Sequence, residues 1–395
     1  MPILSRAGQG AQNHVLISYM LCISWIKLNI GGYVSNIPSM EKGHKSLRVG
    51  GTSVCLPALG FGAAPLGNLY TARSDADAVA TVQAALSAHF RYFDTAPYYG
   101  FGLSEQRLGI ALRSAADRAG MVISTKVGRV LVPASVGRIG LSRHGFIDGM
   151  PFEPVFDYSY DGVMRSFDAS VRRLDGGRID VLLAHDLGQM THGAAHLARW
   201  SEFLAGGYRA MCQLRNEKIV GAIGLGVNEI DVCLQALREI DVDCFLLAGR
   251  YTLLEQSALD VLLPECARRG VSVIIGAPFN SGILIEGVDG TTPAHYNYAP
   301  ASPKVIARVR RLTAVCSAHR VSVASVAIQF PLAHPAVVSV IPGLATPEEV
   351  YQVKEFLSAP IPPSLWSDLR SERLLHPDAP TPHAKAAAPP SRTTT

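Results

Sequence analysis

Four side chains capable of acid–base chemistry lie at or just after the ends of short apolar runs. Asp94 closes RYFDT, Lys126 closes MVISTK and His185 closes IDVLLAH, while Tyr99 stands in a glycine-rich turn five residues after Asp94. A free phenol has a pKa of about 10, too high for efficient proton exchange near neutrality, but an adjacent ammonium group favours the phenolate. A carboxylate would keep that ammonium charged, and a histidine would orient the reacting oxygen. Such a group suits proton transfer coupled to hydride transfer at an alcohol or carbonyl carbon.

Taken singly, each of these residues has a simpler structural interpretation. Asp94 suits a capping acid, Lys126 a solvated strand end and His185 a hydrogen-bonded core histidine. Their joint occurrence at strand ends favours the functional interpretation. The neighbouring Tyr98 is interpreted as packing or a cavity wall. Asp186 is expected to point away from the others and to form a salt bridge, if the strand continues past His185.

The elements that must position these residues alternate regularly along the chain. Eight short apolar runs, typical of strands buried on both faces, alternate with amphipathic helical segments. They are 57–62, 91–95, 121–126, 179–185, 219–226, 243–249, 271–277 and 336–343. The pattern predicts a (β/α)8 TIM barrel, in which the carboxyl ends of the strands share one mouth. A doubly wound open sheet is the alternative, but its glycine fingerprint is damaged in GFGAAP, where proline replaces the third glycine.

Three regions are predicted along the chain. Residues 1–44 are expected to form a poorly ordered N-terminal extension, although they include a 13-residue apolar run, too short for a comfortable membrane span. Residues 45–375 are expected to form the barrel, with a hairpin in SLRVGGTSVCL closing its base. Residues 376–395, rich in Pro, Ala and Thr, are predicted to be a disordered tail.

Composition narrows the classes of function. The net charge is only +4 and no run of Lys and Arg interleaves with aromatic residues, so nucleic acid is not an expected partner. The seven cysteines are scattered singly, which indicates reduced thiols and neither a disulfide framework nor a metal site. We therefore expect a cytoplasmic protein, monomeric or a small homo-oligomer, that acts on a small molecule away from membranes.

The motifs resemble one enzyme family over most of the chain. DTAPYYGFGLSEQRLG, ISTKVGR, RIDVLLAHD and VIPGLATPEEV are similar to segments of the aldo-keto reductases, from about residue 47 to 360. The resemblance implies a catalytic tetrad of Asp94, Tyr99, Lys126 and His185, with the family spacing selecting Tyr99 over Tyr98. It also implies that Glu105 contacts the adenine side of a nicotinamide cofactor.

The same resemblance implies the remaining cofactor contacts. Asn228 corresponds to an amide contact to the nicotinamide, and Gly276 occupies the place of a stacking tyrosine. The loop contacts implied are Phe279, Asn280, Ser281, Gly282 and Leu284. The basic pair that grips the 2′-phosphate of NADP is replaced by Gly343 and Glu349. Because a carboxylate repels phosphate and accepts hydrogen bonds from a ribose hydroxyl, NAD is the expected cofactor, with NADP as the alternative.

Finer motifs, notably GFGAAPLGNLY and GAPFNSGIL, are similar to a bacterial subgroup of the family. This implies oxidation of a free aldose, L-fucose or a D-threo-aldose, at C1 to the lactone. Oxidation of pyridoxal at its 4-position, general aldehyde reduction with NADPH, and a non-catalytic nucleotide-binding barrel are the alternatives. Candidate substrate contacts are Asn68 and Tyr70, and the long insert 128–159 is expected to cover the mouth.

Overall fold

Eight parallel strands follow one another around a single sheet in chain order. The computed structural model describes residues 46–382, apart from 114, 116–117, 139, 141, 290–293 and 298. The strands in this part are β1 Leu47–Arg48, β2 Cys55–Leu56, β3 Phe61–Gly62, β4 Tyr92–Asp94, β5 Val122–Val127, β6 Arg129–Pro133, β7 Phe152–Phe156, β8 Val181–His185, β9 Ala222–Val227, β10 Cys244–Ala248, β11 Ser272–Gly276, β12 His295–Tyr296, β13 Ala299–Pro300 and β14 Val337–Ile341. The parallel sheet contains β3, β4, β5, β8, β9, β10, β11 and β14, so all eight predicted strands are present.

The first and last strands of the sheet meet and close it into a barrel. Parallel bridges join Leu59 to Val340 and Gly62 to Gly343, and the Gly60 amide donates to the Val340 carbonyl at 2.9 Å. The predicted TIM barrel is therefore confirmed, and the open doubly wound sheet is rejected. Strand β8 is buried at every position, as its continuous apolar run requires.

Helices occupy the connections between strands on the outside of the barrel. In the described part they are α1 Asp75–Ser87, α2 Leu103–Arg113, α3 Tyr160–Arg173, α4 Gln189–His192, α5 His196–Glu202, α6 Tyr208–Asn216, α7 Asp231–Glu239, α8 Leu262–Arg269, α9 Ile283–Glu286, α10 Pro303–Ala318, α11 Val323–Gln329, α12 Pro347–Ser358 and α13 Pro363–Ser371. Several begin at a capping hydroxyl: the Ser74 side chain accepts the Asp77 amide, and the Thr346 side chain accepts the Glu349 amide. None of these described helices is long and apolar enough to cross a membrane.

The predicted hairpin closes the amino-terminal end of the barrel. Strands β1 and β2 pair antiparallel, and Val49, Val54 and Leu56 join a buried cluster with side chains from inside the barrel, among them Leu183. The turn needs glycine at Gly50, where φ is +52° and a Cβ would lie 2.8 Å from the backbone oxygen of the β9–β10 loop. The confirmed hairpin thus serves as the floor beneath the catalytic mouth.

The segment between β5 and α3 forms the predicted cover on the opposite end. Strands β6 and β7 pair antiparallel over five residue pairs, and the loop between them returns to the barrel mouth. There Leu69 pairs with Phe146, and the Tyr70 amide donates to the Gly145 carbonyl at 2.8 Å. The cover therefore has two parts, the loop after β3 and the β6–β7 insert, joined by backbone hydrogen bonds.

The predicted end regions are only partly within the described chain. The predicted extension, residues 1–44, lies outside it, as do residues 383–395 of the predicted tail. The first part of that tail packs on the barrel: the His376 amide donates to Gln256 at 2.6 Å and Ala379 is buried. The boundary predicted at 376 is thus earlier than the end of the packed chain, because side chains of the preceding helix and the β10–α8 loop hold these residues.

A substitution in the hairpin tests its role as a floor. Leu56→Ala removes a fully buried side chain from the cluster beneath the barrel, and we expect a loss of roughly 2–5 kcal/mol in the free energy of unfolding. Cys55→Ala, on the exposed face of the same strand, should cost much less. Urea unfolding followed by circular dichroism measures both. Equal losses would show that the hairpin does not contribute its apolar face to stability.

Candidate active site

Three of the four predicted residues form one hydrogen-bonded chain at the carboxyl end of the barrel. Lys126, at the end of β5, donates to the Asp94 carboxylate at 2.8 Å and contacts the Tyr99 hydroxyl at 3.1 Å. Lys126 and Asp94 are almost fully buried, and the other oxygen of Asp94 accepts the Ser124 hydroxyl at 2.6 Å. The ammonium is therefore held by a carboxylate on one side and placed against a phenol on the other.

A tight glycine turn brings Tyr99 to this position. After β4 the chain turns through Gly100 with φ +63° and Phe101 with φ +59°. A Cβ on Gly100 would lie 2.4 Å from the backbone oxygen of Gly67, so only glycine permits the loop after β3 to approach this closely. Strand β4 thus ends in Asp94 at the mouth, and the glycine turn that follows places the Tyr99 hydroxyl close to it.

His185, at the end of β8, completes the group. Its ring lies nearly perpendicular to that of Tyr99, with centroids 6.0 Å apart. The buried Tyr158 hydroxyl donates to the His185 backbone oxygen at 2.6 Å, which fixes the strand end. Burial, together with the nearby cations Arg129 and Lys126, holds the pKa of His185 well below its usual value, so the imidazole is neutral near neutral pH.

Burial and charge compete for the protonation of the phenol and the ammonium. Burial raises the pKa of Tyr99 above its usual value even though the Lys126 ammonium opposes that rise. Burial would lower the pKa of Lys126, but attraction to Asp94 and Tyr99 raises it above its usual value. In this arrangement Lys126 is a cation beside a protonated phenol, so the expected net lowering of the phenol pKa by the ammonium is outweighed by loss of water.

Tyr99, Lys126 and His185 line a cavity of about 500 Å³ at the barrel mouth, and Asp94 lies behind Lys126. Its wall is formed by Ala64, Leu69, Tyr70, Tyr98, Tyr99, Lys126, Arg129, His144, Gly145, Phe146, His185, Asp186, Gly226, Val227, Asn228, Leu246 and Ala248. Tyr98 lines the wall, as expected, and so do four residues of the β6–β7 insert, Arg129, His144, Gly145 and Phe146. The cavity is therefore bounded by barrel strand ends below and by the cover above, a size suited to a small molecule.

An ion pair inside this cavity was not expected from the sequence. The Arg129 guanidinium donates to Asp186 at 2.5 Å, and the Asp186 carboxylate lies 3.5 Å from Nε2 of His185. The salt bridge expected for Asp186 exists, but the outward direction expected if the strand continued past His185 does not apply, because Asp186 lines the cavity. The strand ends at His185, and Asp186 has φ +49°, so the alternation of side chains along a strand no longer applies. The sequence feature that could have indicated this is the histidine–aspartate pair at the end of β8, where the strand stops.

Comparison with known proteins identifies the family. The model of the Aldo/keto reductase family matches residues 58–372. The chain belongs to the aldo/keto reductase family. It is therefore an oxidoreductase of that family, built on the TIM barrel described above.

Two relatives and one solved structure extend this result. The chain is 43% identical over 342 residues to pyridoxal 4-dehydrogenase of Microbacterium luteolum, covering 85% of this chain and 99% of the relative. It is 38% identical over 324 residues to D-threo-aldose 1-dehydrogenase of a Pseudomonas species, covering 82% and 95%. The fold is similar to the holo form of an aldo-keto reductase from Bacillus halodurans, with a TM-score of 0.65, 21% identity and coverage of 86% and 99%.

The two candidate substrate residues are separated by the structure. Tyr70 lies in the cavity wall with positive φ, and its side chain is about half exposed at the rim. Asn68 is 2% exposed and does not line the cavity; its side-chain oxygen accepts Arg107 at 2.7 Å and the Arg73 amide at 3.1 Å. Asn68 therefore holds the loop that carries Tyr70 and is not brought to the substrate.

The wall beside the tetrad offers a surface that fits a nicotinamide ring. Asn228 lines the cavity with an amide that matches a carboxamide partner, next to the small or apolar Gly226, Leu246 and Ala248. Gly276 ends β11 beneath this wall, where a Cβ would lie 3.1 Å from the Leu246 side chain. Gly276 provides no aromatic ring at the predicted stacking position, and the apolar side chains of Leu246 and Ala248 lie next to it.

The predicted loop after β11 packs largely against the protein. The Asn280 side chain accepts the Thr252 hydroxyl at 2.6 Å, and Phe279 meets Phe356 of α12 at 6.5 Å between ring centroids. The remaining positions are Ser281, which is exposed, Gly282, which begins α9 with φ +89°, and Leu284, which is buried. The side chains of Phe279, Asn280 and Leu284 are therefore buried within the protein.

The predicted NAD-selecting segment begins α12. Gly343 is exposed beside Pro65, and the Glu349 carboxylate accepts the Ala345 amide at 2.7 Å. Since Thr346 in turn accepts the Glu349 amide, this is a helix-capping arrangement. Glu349 is therefore an acid in the first turn of α12, and one of its carboxylate oxygens accepts the Ala345 amide.

Glu105 is not placed where a cofactor contact requires. It is fully buried, and its carboxylate accepts the Thr125 hydroxyl at 2.6 Å and pairs with Arg173 at 2.6 Å. The expected adenine contact is therefore replaced by an ion pair between α2 and α3. Spacing alone could not show this, because the partner arginine comes from a distant helix.

Removal of the phenolic hydroxyl tests the chemical assignment. Tyr99→Phe keeps the ring but removes the exchangeable proton, so kcat/KM for any oxidised or reduced substrate should fall by about 10²–10⁴-fold. Tyr98→Phe, the adjacent cavity phenol, should retain most of the activity. Nucleotide binding, followed by fluorescence titration, should change little in both variants. A greater loss in Tyr98→Phe than in Tyr99→Phe would contradict the assignment.

Proposed function

We propose that this enzyme oxidises the hemiacetal hydroxyl of a free aldose, such as L-fucose or a D-threo-aldose, to the lactone, with NAD as hydride acceptor. The observation that carries the proposal is the Lys126 ammonium, within hydrogen-bonding distance of both the Asp94 carboxylate and the Tyr99 phenol at the cavity. The likeness to D-threo-aldose 1-dehydrogenase supports it, since that name describes dehydrogenation of aldoses at C1.

Each residue has a distinct part in this reaction. The bound nucleotide supplies the acceptor for the hydride that leaves the hemiacetal carbon. Tyr99 first releases its own proton to solvent, and Lys126 stabilises the phenolate that forms. The phenolate then takes the hydroxyl proton while that carbon becomes a lactone carbonyl. Asp94 keeps Lys126 charged and fixed. The neutral His185 hydrogen-bonds the same substrate oxygen and orients it towards Tyr99.

Oxidation of pyridoxal is the second candidate. Pyridoxal also closes to a cyclic hemiacetal, so the same proton and hydride transfers would yield a lactone. The 43% identity to pyridoxal 4-dehydrogenase and the aromatic side chains Tyr70, Tyr98 and Phe146 in the cavity wall support it. The charged pair Arg129–Asp186 in the same wall favours a substrate with several hydroxyl groups, and the aldose is therefore placed first.

Two further alternatives receive less support. A general aldehyde reductase running on NADPH would suit an apolar cavity, whereas this wall contains an ion pair and a histidine from the cover. A non-catalytic nucleotide-binding barrel would be favoured by loss of a tetrad member. Asp94, Tyr99, Lys126 and His185 are all present, and the first three are linked by hydrogen bonds.

The choice of NAD over NADP rests on charge after the last strand. The segment from Gly343 to Glu349 contains no basic residue, and Glu348 is exposed in the first turn of α12. Two carboxylates at this position repel a 2′-phosphate but accept a hydrogen bond from the 2′-hydroxyl. The wild-type enzyme is therefore proposed to work better with NAD.

Product analysis tests the reaction. Incubation with NAD and L-fucose, D-arabinose, pyridoxal or simple aldehydes should give NADH and a lactone from the aldoses, identified by mass spectrometry. Lys126→Met should abolish NADH formation, whereas Lys354→Met, a half-buried lysine on α12, should not. If pyridoxal alone gave a lactone, pyridoxal and not an aldose would be the substrate. Alcohols from simple aldehydes in a parallel incubation with NADPH, together with no lactone from any compound with NAD, would refute the proposal.

A charge reversal tests the cofactor. Glu349→Arg should lower the ratio of kcat/KM for NAD to that for NADP, because it replaces a repulsive charge with an attractive one. Glu349→Gln keeps an oxygen that can accept the Ala345 amide and separates loss of the cap from loss of the charge. Steady-state kinetics with both nucleotides measures the ratio. A wild-type enzyme clearly more efficient with NADP would show that this segment was misinterpreted.

A further inference from the structure

The cavity wall contains one carboxylate with unused hydrogen-bonding capacity among the described residues. Asp94 has both oxygens engaged by Ser124 and Lys126 and does not line the cavity. Asp186 lines it. One of its oxygens accepts Arg129, and the other has a long contact of 3.5 Å with the Asn228 amide nitrogen. A carboxylate accepts several hydrogen bonds, so Asp186 has room for a donor from a ligand.

We propose that Asp186 binds the hydroxyl on the carbon next to the hemiacetal carbon, so that the site selects substrates with two adjacent hydroxyl groups. The inference rests on the proposed oxidation of hemiacetals and names the class of hemiacetal that the cavity accepts. Aldoses with a free 2-hydroxyl belong to that class. Simple aldehydes and 2-deoxy sugars do not.

The position of Asp186 relative to His185 supports this assignment. His185 is proposed to hold the reacting oxygen, and its Nε2 lies 3.5 Å from the Asp186 oxygen that accepts Arg129, so the carboxylate adjoins the imidazole. Two oxygens on adjacent carbons lie at a similar separation. A diol can therefore place one oxygen on His185 and the other on Asp186 at the same time, whereas a lone hydroxyl can satisfy only one of them.

Arg129 keeps the carboxylate charged and fixed in direction. Its guanidinium lies 3.9 Å from the ring centre of Tyr98 and 4.6 Å from that of Phe156, so two aromatic rings confine it. The Arg129 and Asp186 side chains are 10% and 12% exposed. The Asp186 carboxylate is therefore held mostly out of solvent by an arginine that is itself packed between two rings, and this favours one direction for an incoming donor.

The energetic consequence is discrimination between closely related substrates. A ligand that fills the cavity excludes water from Asp186, and without a donor it leaves a buried carboxylate partly unpaired. Sites built to hydrogen-bond a substrate hydroxyl reject analogues that lack it much more strongly than apolar pockets reject a change of one methylene. We therefore expect at least about a tenfold preference for a sugar over its 2-deoxy analogue, from one hydrogen bond to a charged group.

The test compares L-fucose with 2-deoxy-L-fucose in the full-length enzyme with NAD. The wild type should show at least about a tenfold higher kcat/KM for L-fucose. Asp186→Asn should reduce that ratio several-fold, chiefly through loss of activity on L-fucose, because the amide oxygen accepts a hydrogen bond more weakly than the carboxylate does. The kcat/KM for the 2-deoxy sugar should change little between the wild type and Asp186→Asn, because this sugar makes no hydrogen bond to the carboxylate.

A second ion pair provides the control. Asp243 at the base of the barrel pairs with Arg215 at 3.1 Å, with side chains 13% and 20% exposed, and it also accepts the Ile223 amide. Asp243→Asn therefore removes a comparably buried charge far from the mouth and should leave the substrate ratio unchanged. Thermal unfolding of both variants measures any common loss of stability, and if Asp186→Asn does not fold, the ratio in the wild type decides the proposal.

Each outcome separates the inference from the proposed function. Lactone from both sugars at equal efficiency, or a preference that Asp186→Asn leaves intact, overturns the inference while hemiacetal oxidation stands. Oxidation of pyridoxal but of neither sugar does the same, because pyridoxal has no hydroxyl on the carbon next to its hemiacetal carbon. Oxidation of none of these compounds overturns the proposed function and the inference with it.

Discussion

The buried ion pair between Asp94 and Lys126 is the interaction on which the rest of the site depends. Both side chains are at most 3% exposed, and moving two charges out of water is costly unless further hydrogen bonds satisfy them. Ser124 donates to the carboxylate, while the Thr95 backbone oxygen and the Tyr99 hydroxyl accept from the ammonium. Ser124 lies on β5, while Thr95 and Tyr99 follow β4, so the pair depends on the pairing of these two adjacent strands. The Tyr99 hydroxyl is held in place because it accepts a hydrogen bond from the buried Lys126 ammonium, which water would accept at an exposed lysine.

The same burial that makes the pair expensive sets the protonation of its neighbours. Tyr99 is kept as a phenol and His185 as a neutral imidazole, because the charged form of each would lose water without full compensation. Only Lys126 and the pair Arg129–Asp186 remain charged at the cavity wall. Charge in the cavity is thus concentrated in groups that already have opposite partners. A proton can be exchanged at Tyr99 without creating an isolated charge, since Lys126 is in place before the phenolate forms.

Much of this arrangement could be predicted from the sequence, because it follows from strand ends. The eight apolar runs define the barrel, and the barrel alone brings Asp94, Lys126 and His185 to one mouth. What could not be predicted depends on partners distant in sequence or on unusual backbone angles. Glu105 is taken by an arginine from α3, and Asp186 turns inward through a left-handed conformation that strand alternation does not anticipate. In both cases the sequence shows the residue type, whereas the direction of the side chain depends on contacts that form only in the fold.

The ion pair Arg129–Asp186 also explains why the cover and the barrel act as one unit. Arg129 begins the β6–β7 insert, whereas Asp186 follows the strand that ends in His185, so their ion pair joins the cover to the barrel at the cavity. The insert is joined separately to the loop carrying Tyr70 through the hydrogen bond at Gly145. A change in the cover that displaced Arg129 would therefore release Asp186 beside the reacting oxygen without touching the Asp94–Lys126 pair. Substrate selection can vary through these loops while the chemistry beneath them stays the same.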